Sequence, residues 1–334
     1  MDMRKNYTLL IAFLLTFGTS AFAQQDAMFT KYMFNSLVYN PAYAGAKDHL
    51  AIGLLHRTQW WGIDGGPNTQ SFTIHSPLKN KRVGLGFSAV NDAIGPSNSI
   101  RANVSYAYRI PVGKGKLSIG LQGGVMNWRA DWSKITIEQG TDVSFAENPN
   151  IWQPNFGAGL MYFTDKFYVG FSSPQLIEYD LRTGEIDTPI WARQYRHYYF
   201  MTGVAIPLKG DALIFKPSIL VKNVGLLSGF SKDEVFQEFG APTEFDIDLS
   251  LMFYQALWIG ASFRSAIEGV VGGNSSIDSA DIWASYYLAN GLRIGAAYDY
   301  TLTKLQGPAK GTFEVMLGYE FNYKTKQVVT PRYF

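Results

Sequence analysis

The chain has 334 residues, a formal net charge of +2, no cysteine, 15% aromatic residues and 33 glycines. Charge this close to zero leaves no electrostatic footprint for nucleic acid, and the lack of cysteine excludes disulfides, thiol catalysis and thiolate metal sites. Twenty tyrosines, 23 phenylalanines and eight tryptophans, with that many glycines, suit an all-β chain. A membrane barrel with aromatic girdles and a soluble β-sandwich or propeller both fit such a composition.

The chain opens with an export signal. Arg4 and Lys5 precede the apolar run Leu9 to Phe17, and Ala21-Phe22-Ala23 is an A-x-A cleavage site, so residues 1–23 are expected to be removed and Gln24 to become the first residue. The apolar run is too short to span a bilayer, which takes about 20 residues. Gln24 is not a cysteine, so no lipoprotein anchor is expected. Residues 24–47 then show no strand periodicity, although they hold the aromatic stretch FNSLVYNPAYAG at 34–45.

From residue 48 to 334 the chain reads as hairpins. Strands are expected near 49–61, 68–78, 81–91, 98–111, 116–129, 154–164, 166–174, 194–207, 211–222, 243–254, 256–265, 277–288, 290–301 and 310–323. Alternation with period two is clearest late in the chain. Phe313, Val315, Leu317, Tyr319 and Phe321 share one face, with Glu314, Met316, Gly318 and Glu320 on the other. Leu292, Ile294, Ala296, Tyr298 and Tyr300 alternate with Arg293, Gly295, Ala297, Asp299 and Thr301. Phe245, Ile247, Leu249, Leu251 and Phe253 alternate with Asp246, Asp248 and Ser250, whose pattern marks them as lumen lining. Earlier, Ile100, Val104 and Tyr106 oppose Arg101, Asn103 and Ser105.

Connection lengths choose between barrel and sandwich. Tight turns at 80–81, 111–115, 165–166, 207–211, 255 and 290–291 alternate with generally longer connections, notably 130–153, 175–193 and 223–242. Short turns on one rim and long loops on the other describe a single antiparallel transmembrane β-barrel of about 14 strands. It is expected in the outer membrane of a Gram-negative bacterium, surrounded by outer-membrane lipid, with both barrel termini in the periplasm. The chain closes on T-P-R-Y-F, in which Tyr333 and Phe334 are candidate assembly signals.

No catalytic constellation is apparent. G-x-S-x-G and H-E-x-x-H are absent, and the only histidines are His49, His56, His75 and His197. His56 and His75, on adjacent expected strands, are candidates to face the lumen together, but two histidines without a third ligand make a poor metal site. Hence neither a cofactor nor a metal is expected. In R-T-Q-W-W at 57–61, Arg57 and Gln59 should share a face turned from lipid, and one of the two tryptophans should join the girdle.

Several of these segments together resemble a known family. Q-Q-D near the mature start, Y-M-F-N-x-L-x-Y-N-P-A-Y-A-G (Tyr32 to Gly45), R-T-Q-W-W-G and a terminal P-R-Y-F are similar to the PorP/SprF family. The resemblance implies a non-enzymatic outer-membrane barrel of the type IX secretion system. It further implies a role in export or surface attachment of large secreted proteins, gliding adhesins among them, that carry a type B C-terminal sorting domain. Other components of the secretion system are further candidate partners. The matching residues that become plug or partner-binding candidates are Tyr32, Phe34, Asn35, Tyr39, Asn40, Pro41, Tyr43, Gly45, Arg57, Gln59 and Trp60.

Residues 24–47 are too irregular for a strand and too aromatic to stay solvated, so they are expected to enter the barrel as a plug or brace, or to lead into it from the periplasm. Trp132, Phe145, Trp152, Tyr179, Trp191 and Phe230 are expected in the long loops, as aromatic anchors for a partner or as loop packing. A passive porin or small-molecule transporter is the alternative function.

Overall fold

The computed structural model describes residues 28–134, 148–180, 193–224, 243–267 and 277–321. Its strands are β1 (Leu50–Thr58), β2 (Asn68–Pro77), β3 (Val83–Ile94), β4 (Ser97–Val112), β5 (Gly115–Ala130), β6 (Asn150–Phe163) and β7 (Phe167–Ser173) in the first half. A two-residue ribbon follows, β8 (Tyr179–Asp180) with β9 (Arg193–Gln194). The second half holds β10 (His197–Val204), β11 (Ile206–Pro207), β12 (Leu213–Val224), β13 (Glu244–Phe253), β14 (Leu257–Ala266), β15 (Ile277–Tyr287), β16 (Leu292–Thr301) and β17 (Thr312–Phe321).

Every pairing in the large sheet is antiparallel and, apart from β1–β17, joins successive strands of the wall, with β7 followed by β10 past the β8–β9 ribbon and β10 and β11 forming one strand broken at Ala205. The ring closes where β1 meets β17, from Leu50↔Phe321 to Thr58↔Phe313. Fourteen strands therefore enclose a lumen, and among the described residues the ring has no open edge strand to face hydrocarbon.

The two faces of the wall have the chemistry of a membrane barrel. Outward side chains are apolar, among them Leu54, Val104, Leu121, Phe156, Ile282 and Leu317. Inward side chains of the wall include Arg57, Ser105, Gln122, Asp248, Asp299 and Glu314, all buried. A water-soluble sandwich reverses this arrangement, burying its apolar face. The faces expected for β4, β13, β16 and β17 are the faces observed.

Some boundaries differ from those expected. β4 and β5 each run 16 residues, and β3 turns into β4 through Gly95 and Pro96 alone, so this connection is short. The turn places Gly95 at φ +53, where glycine has no steric penalty. β1 stops at Thr58 rather than 61, because Trp60 takes φ +54 and Gln59 N–H donates instead to Pro67 across the loop. β6 starts at Asn150, four residues before Pro154, since Trp152 and Asn150 pair with Asn127 and Arg129 of β5.

The outward face can be tested at mid-depth. Leu317→Arg is expected to lower the unfolding free energy in lipid vesicles by about 2–4 kcal/mol. The check is a denaturant titration of the refolded barrel, and an unchanged midpoint would mean that Leu317 does not face lipid.

Candidate functional site

Residues 28–47 lie inside the ring. They form a succession of single turns, Tyr32–Phe34, Ser36–Tyr39 and Pro41–Tyr43, with no strand. Their contacts come from the whole circumference. Asn35 Nδ2 donates to Ser71 of β2 at 3.0 Å, Arg109 of β4 donates to Ala44 O at 2.6 Å, and Ser118 of β5 to Ala42 O at 2.7 Å. Asn40 Nδ2 donates to Leu160 O of β6 at 3.1 Å, Ser172 of β7 to Tyr39 O at 2.7 Å, and Tyr32 to Ser218 of β12 at 2.8 Å.

The path through the lumen follows from strand register. Lys47 pairs with Glu320 and Asp48 with Lys81, both at the rim of short turns. At the other end, Thr30 and Lys31 donate backbone N–H groups to Glu314 at 2.8 and 2.9 Å, and Arg264 donates to Phe29 O at 3.3 Å. Glu314 and Arg264 each lie two residues from the end of their strand at the long-loop rim. In chain order the segment thus runs most of the barrel's height, from residues 29–31 near the long-loop rim to Lys47 and Asp48 at the short-turn rim, where it leads into β1.

Its charged residues complete the lumenal electrostatics. Lys31, fully buried, sits 2.5 Å from Asp281 and 3.4 Å from Asp248, and donates to Ser262 at 2.5 Å. Arg57 pairs with Asp299 at 3.0 Å and Glu314 at 3.4 Å and also reaches Thr30, whose hydroxyl donates to Asp299 at 2.7 Å. Arg264 pairs with Asp246 at 2.6 Å.

The stretch Asn40 to Gly45 is shaped for close approach. Asn40 accepts from Ala42 N–H through its side chain, and Pro41 occupies the first position of the turn, where its missing N–H costs nothing. Ala42 and Ala44 have no exposed surface. They press on Gly120 of β5 and Gly84 of β3, where any Cβ would collide with the Ala42 or Ala44 backbone. Tyr43 meets the His75 ring edge-on at 5.2 Å, and Gly45, at φ +63, donates its N–H to His75 Nδ1 at 3.1 Å. Phe34 packs edge-on against Trp258 and Trp283, with centroids at 4.9 and 5.4 Å.

Other candidates divide. His75 is lumenal but His56 is exposed on the outer face and bonds to Thr58 and Gln70, so the two do not meet. A register of Ala51 with His75 and His56 with Gln70 puts them on opposite faces. Gln59 is half-buried beyond the end of β1, and Trp60 N–H donates to Thr312 Oγ1 at 3.2 Å. Trp61 is the outward tryptophan, packed on Phe313 at 5.2 Å.

Trp152 is not in a loop: it stands 66% exposed on the outer face of β6, in line with Phe156 and Leu160. Trp132 lies in the β5–β6 connection with its N–H on Asn148, and Tyr179 in the ribbon, its hydroxyl on Pro154 O. Phe145, Trp191, Phe230, Tyr333 and Phe334 lie outside the described residues, as do residues 1–27. Lys31 was not among the residues singled out from sequence, because its partners lie 217 and 250 positions away. Among the described residues no cluster of three or more histidine, aspartate or glutamate side chains has the geometry to hold a metal.

Two outcomes follow. Arg57→Met leaves Asp299 and Glu314 facing each other without the guanidinium and is expected to cost about 3–5 kcal/mol, read as a lowered unfolding midpoint. In mild detergent the native protein should resist trypsin at Lys31, whereas Gly120→Leu, which displaces the backbone at Ala42, should admit cleavage there. Rapid cleavage of the unaltered protein at Lys31 would contradict the buried position.

Comparison with solved structures finds outer-membrane barrels. The Ralstonia pickettii toluene transporter TbuX is 12% identical, with 93% of this chain and 97% of that chain covered at a TM-score of 0.51. The Acinetobacter baumannii outer membrane protein Omp33 is 10% identical, with 83% and 100% covered at a TM-score of 0.46. At these identities the likeness extends to the fold alone. No curated protein matches the chain. The model of the type IX secretion system membrane protein family PorP/SprF matches residues 21–319, a span that takes in the lumenal segment and nearly all of the wall. The chain belongs to the PorP/SprF family, and it is an outer-membrane β-barrel of the type IX secretion system.

Proposed function

We infer that the barrel is a binding module that supports export or surface attachment of a large secreted protein, holding it through a type B C-terminal sorting domain. One observation supports binding over conduction. Residues 28–47 lie in the lumen, bonded to strands around the ring, which supports a binding role over an aqueous channel. Membership of a secretion-system family supports the same direction.

In this reading the rim of long connections faces the cell exterior and the short turns face the periplasm, the usual disposition of such barrels. The sorting domain docks at the outer rim, where Trp132 and Tyr179 stand beside the longer connections. The barrel performs no chemistry on its cargo. Gliding adhesins are the cargo class that the family suggests.

The test is a native pull-down. With an affinity tag in the connection 225–242 of the chromosomal copy, outer membranes are extracted in mild detergent and bound proteins identified by mass spectrometry. A large exported protein is expected, lost when its C-terminal domain is deleted. A partnerless barrel with stable single-channel conductance would overturn the binding role and favour a porin.

A further inference from the structure

Met28 stands at the rim of long connections. The Lys222 ammonium donates to Met28 Sδ at 3.1 Å and pairs with Glu244 at 3.3 Å. Lys222 is two residues from the end of β12 and Glu244 is the first residue of β13, so both flank the connection 225–242. Phe29, Thr30 and Lys31 are buried, whereas Met28 is half-buried. Exposure thus rises toward the start of the segment, and polarity rises with it. Gln24-Gln25-Asp26-Ala27 holds no aromatic or large apolar residue, in contrast to the stretch from Phe29 to Tyr43.

The opposite rim is out of reach for residues 24–27. From Lys222 back to Leu213, at the short-turn end of β12, the wall runs about 30 Å along the strand, or roughly 20 Å of height at the usual tilt. Four residues span at most about 14 Å when fully extended. Residues 32–45 also lie along that path, bonded to β2, β4, β5, β6, β7 and β12.

We propose that the chain leaves the lumen through the long-loop rim, so that the mature N-terminus lies on the cell exterior, across the membrane from the start of β1. There residues 24–27 form part of the surface met by a partner arriving from outside. A periplasmic component meets only the other end of the segment, at Lys47 and Asp48. The exterior placement rests on the orientation taken under the proposed function, whereas exit at the long-loop rim does not.

The chain has no cysteine, so a single introduced one marks a single place. Asp26→Cys, Lys232→Cys in the connection 225–242 and Lys114→Cys in the β4–β5 turn are each expressed in a Gram-negative host without a type IX secretion system, where no cargo covers the rim. A membrane-impermeant maleimide is applied to intact cells and to cells with a permeabilised outer membrane, and labelling is read on the purified barrel by mass spectrometry. Trypsin resistance at Lys31 reports the intact fold, and Gln25→Cys replaces Asp26→Cys should that variant lose it. Residue 26 is expected to label on intact cells together with residue 232, and residue 114 only after permeabilisation. Labelling of residue 26 only after permeabilisation, or in neither state, would overturn the proposal. Should residue 114 label on intact cells and residue 232 not, the orientation is what fails; residue 26 labelling with residue 232 then still supports exit at the long-loop rim, and labelling with residue 114 refutes it.

Discussion

Asp248, Asp281, Asp299 and Glu314 project into a space closed off from bulk water, and much of the molecule follows from the need to compensate them. Isolated buried carboxylates are costly, and removing one partner of a buried pair costs more than the pair itself contributes. The wall supplies Arg57 to Asp299 and Glu314, while Asp248 and Asp281 receive Lys31 from the lumenal segment. Two backbone N–H groups from the same segment complete Glu314. Wall and segment are thus electrostatically one unit: without residues 28–47 the strands β13 to β17 would present a negative interior with too few cations.

This coupling gives a physical reason for residues 28–47 to lie within the ring. A 14-strand ring is wide enough for solute passage if its interior is left wet. Here the interior is divided between polar side chains of the wall and a segment that donates to, or accepts from, strands on every side. The aromatic residues of the segment do the packing. Phe34 packs edge-on with Trp258 and Trp283, which also touch each other, while Tyr39 contacts Phe29, Tyr32 and Tyr199. The Tyr32 hydroxyl donates to Ser218 and the Tyr39 hydroxyl accepts from the Phe29 N–H, so both buried phenols are partnered.

The wall was largely legible in the sequence because a membrane barrel imposes one rule on every strand. Period-two alternation assigned Phe313, Val315 and Leu317 outward and Glu314 inward, and the ladder keeps that register through to β1. Failures occurred where another term outweighed alternation. Pro154 looked like a strand start, yet backbone pairing of Asn150 to Gln153 with β5 carries the strand past it and sets Trp152 against the membrane. His56 and His75 were candidates to share the lumen as neighbours on adjacent strands, but His75 pairs with Ala51, five residues from His56, and that odd offset sets His56 on the outer face. For the lumenal segment, the sequence indicated an irregular aromatic stretch. Lys31 gave no local signal, since its role exists only when Asp248 and Asp281 are brought round the ring to meet it.

The run Tyr39 to Gly45 has a physical account that does not require a partner. A chain turning from the lumen into β1 must cross the inner faces of β3 to β6 at backbone distance. Gly84, Gly120 and Gly159 clear the wall for it, and Ala42 and Ala44 keep the segment thin enough to fit. Asn40 and Pro41 fix the turn, and Gly45 supplies the positive φ that releases the chain toward Leu50. Lys47 and His49 then fasten it to Glu320, beside the β1–β17 seam where the ring closes. The segment is therefore clamped at both ends, by Glu320 at one rim and Glu314 near the other, both on β17. The strand that closes the barrel is also the strand that holds its contents, so closure of the wall and seating of the segment are secured by the same element.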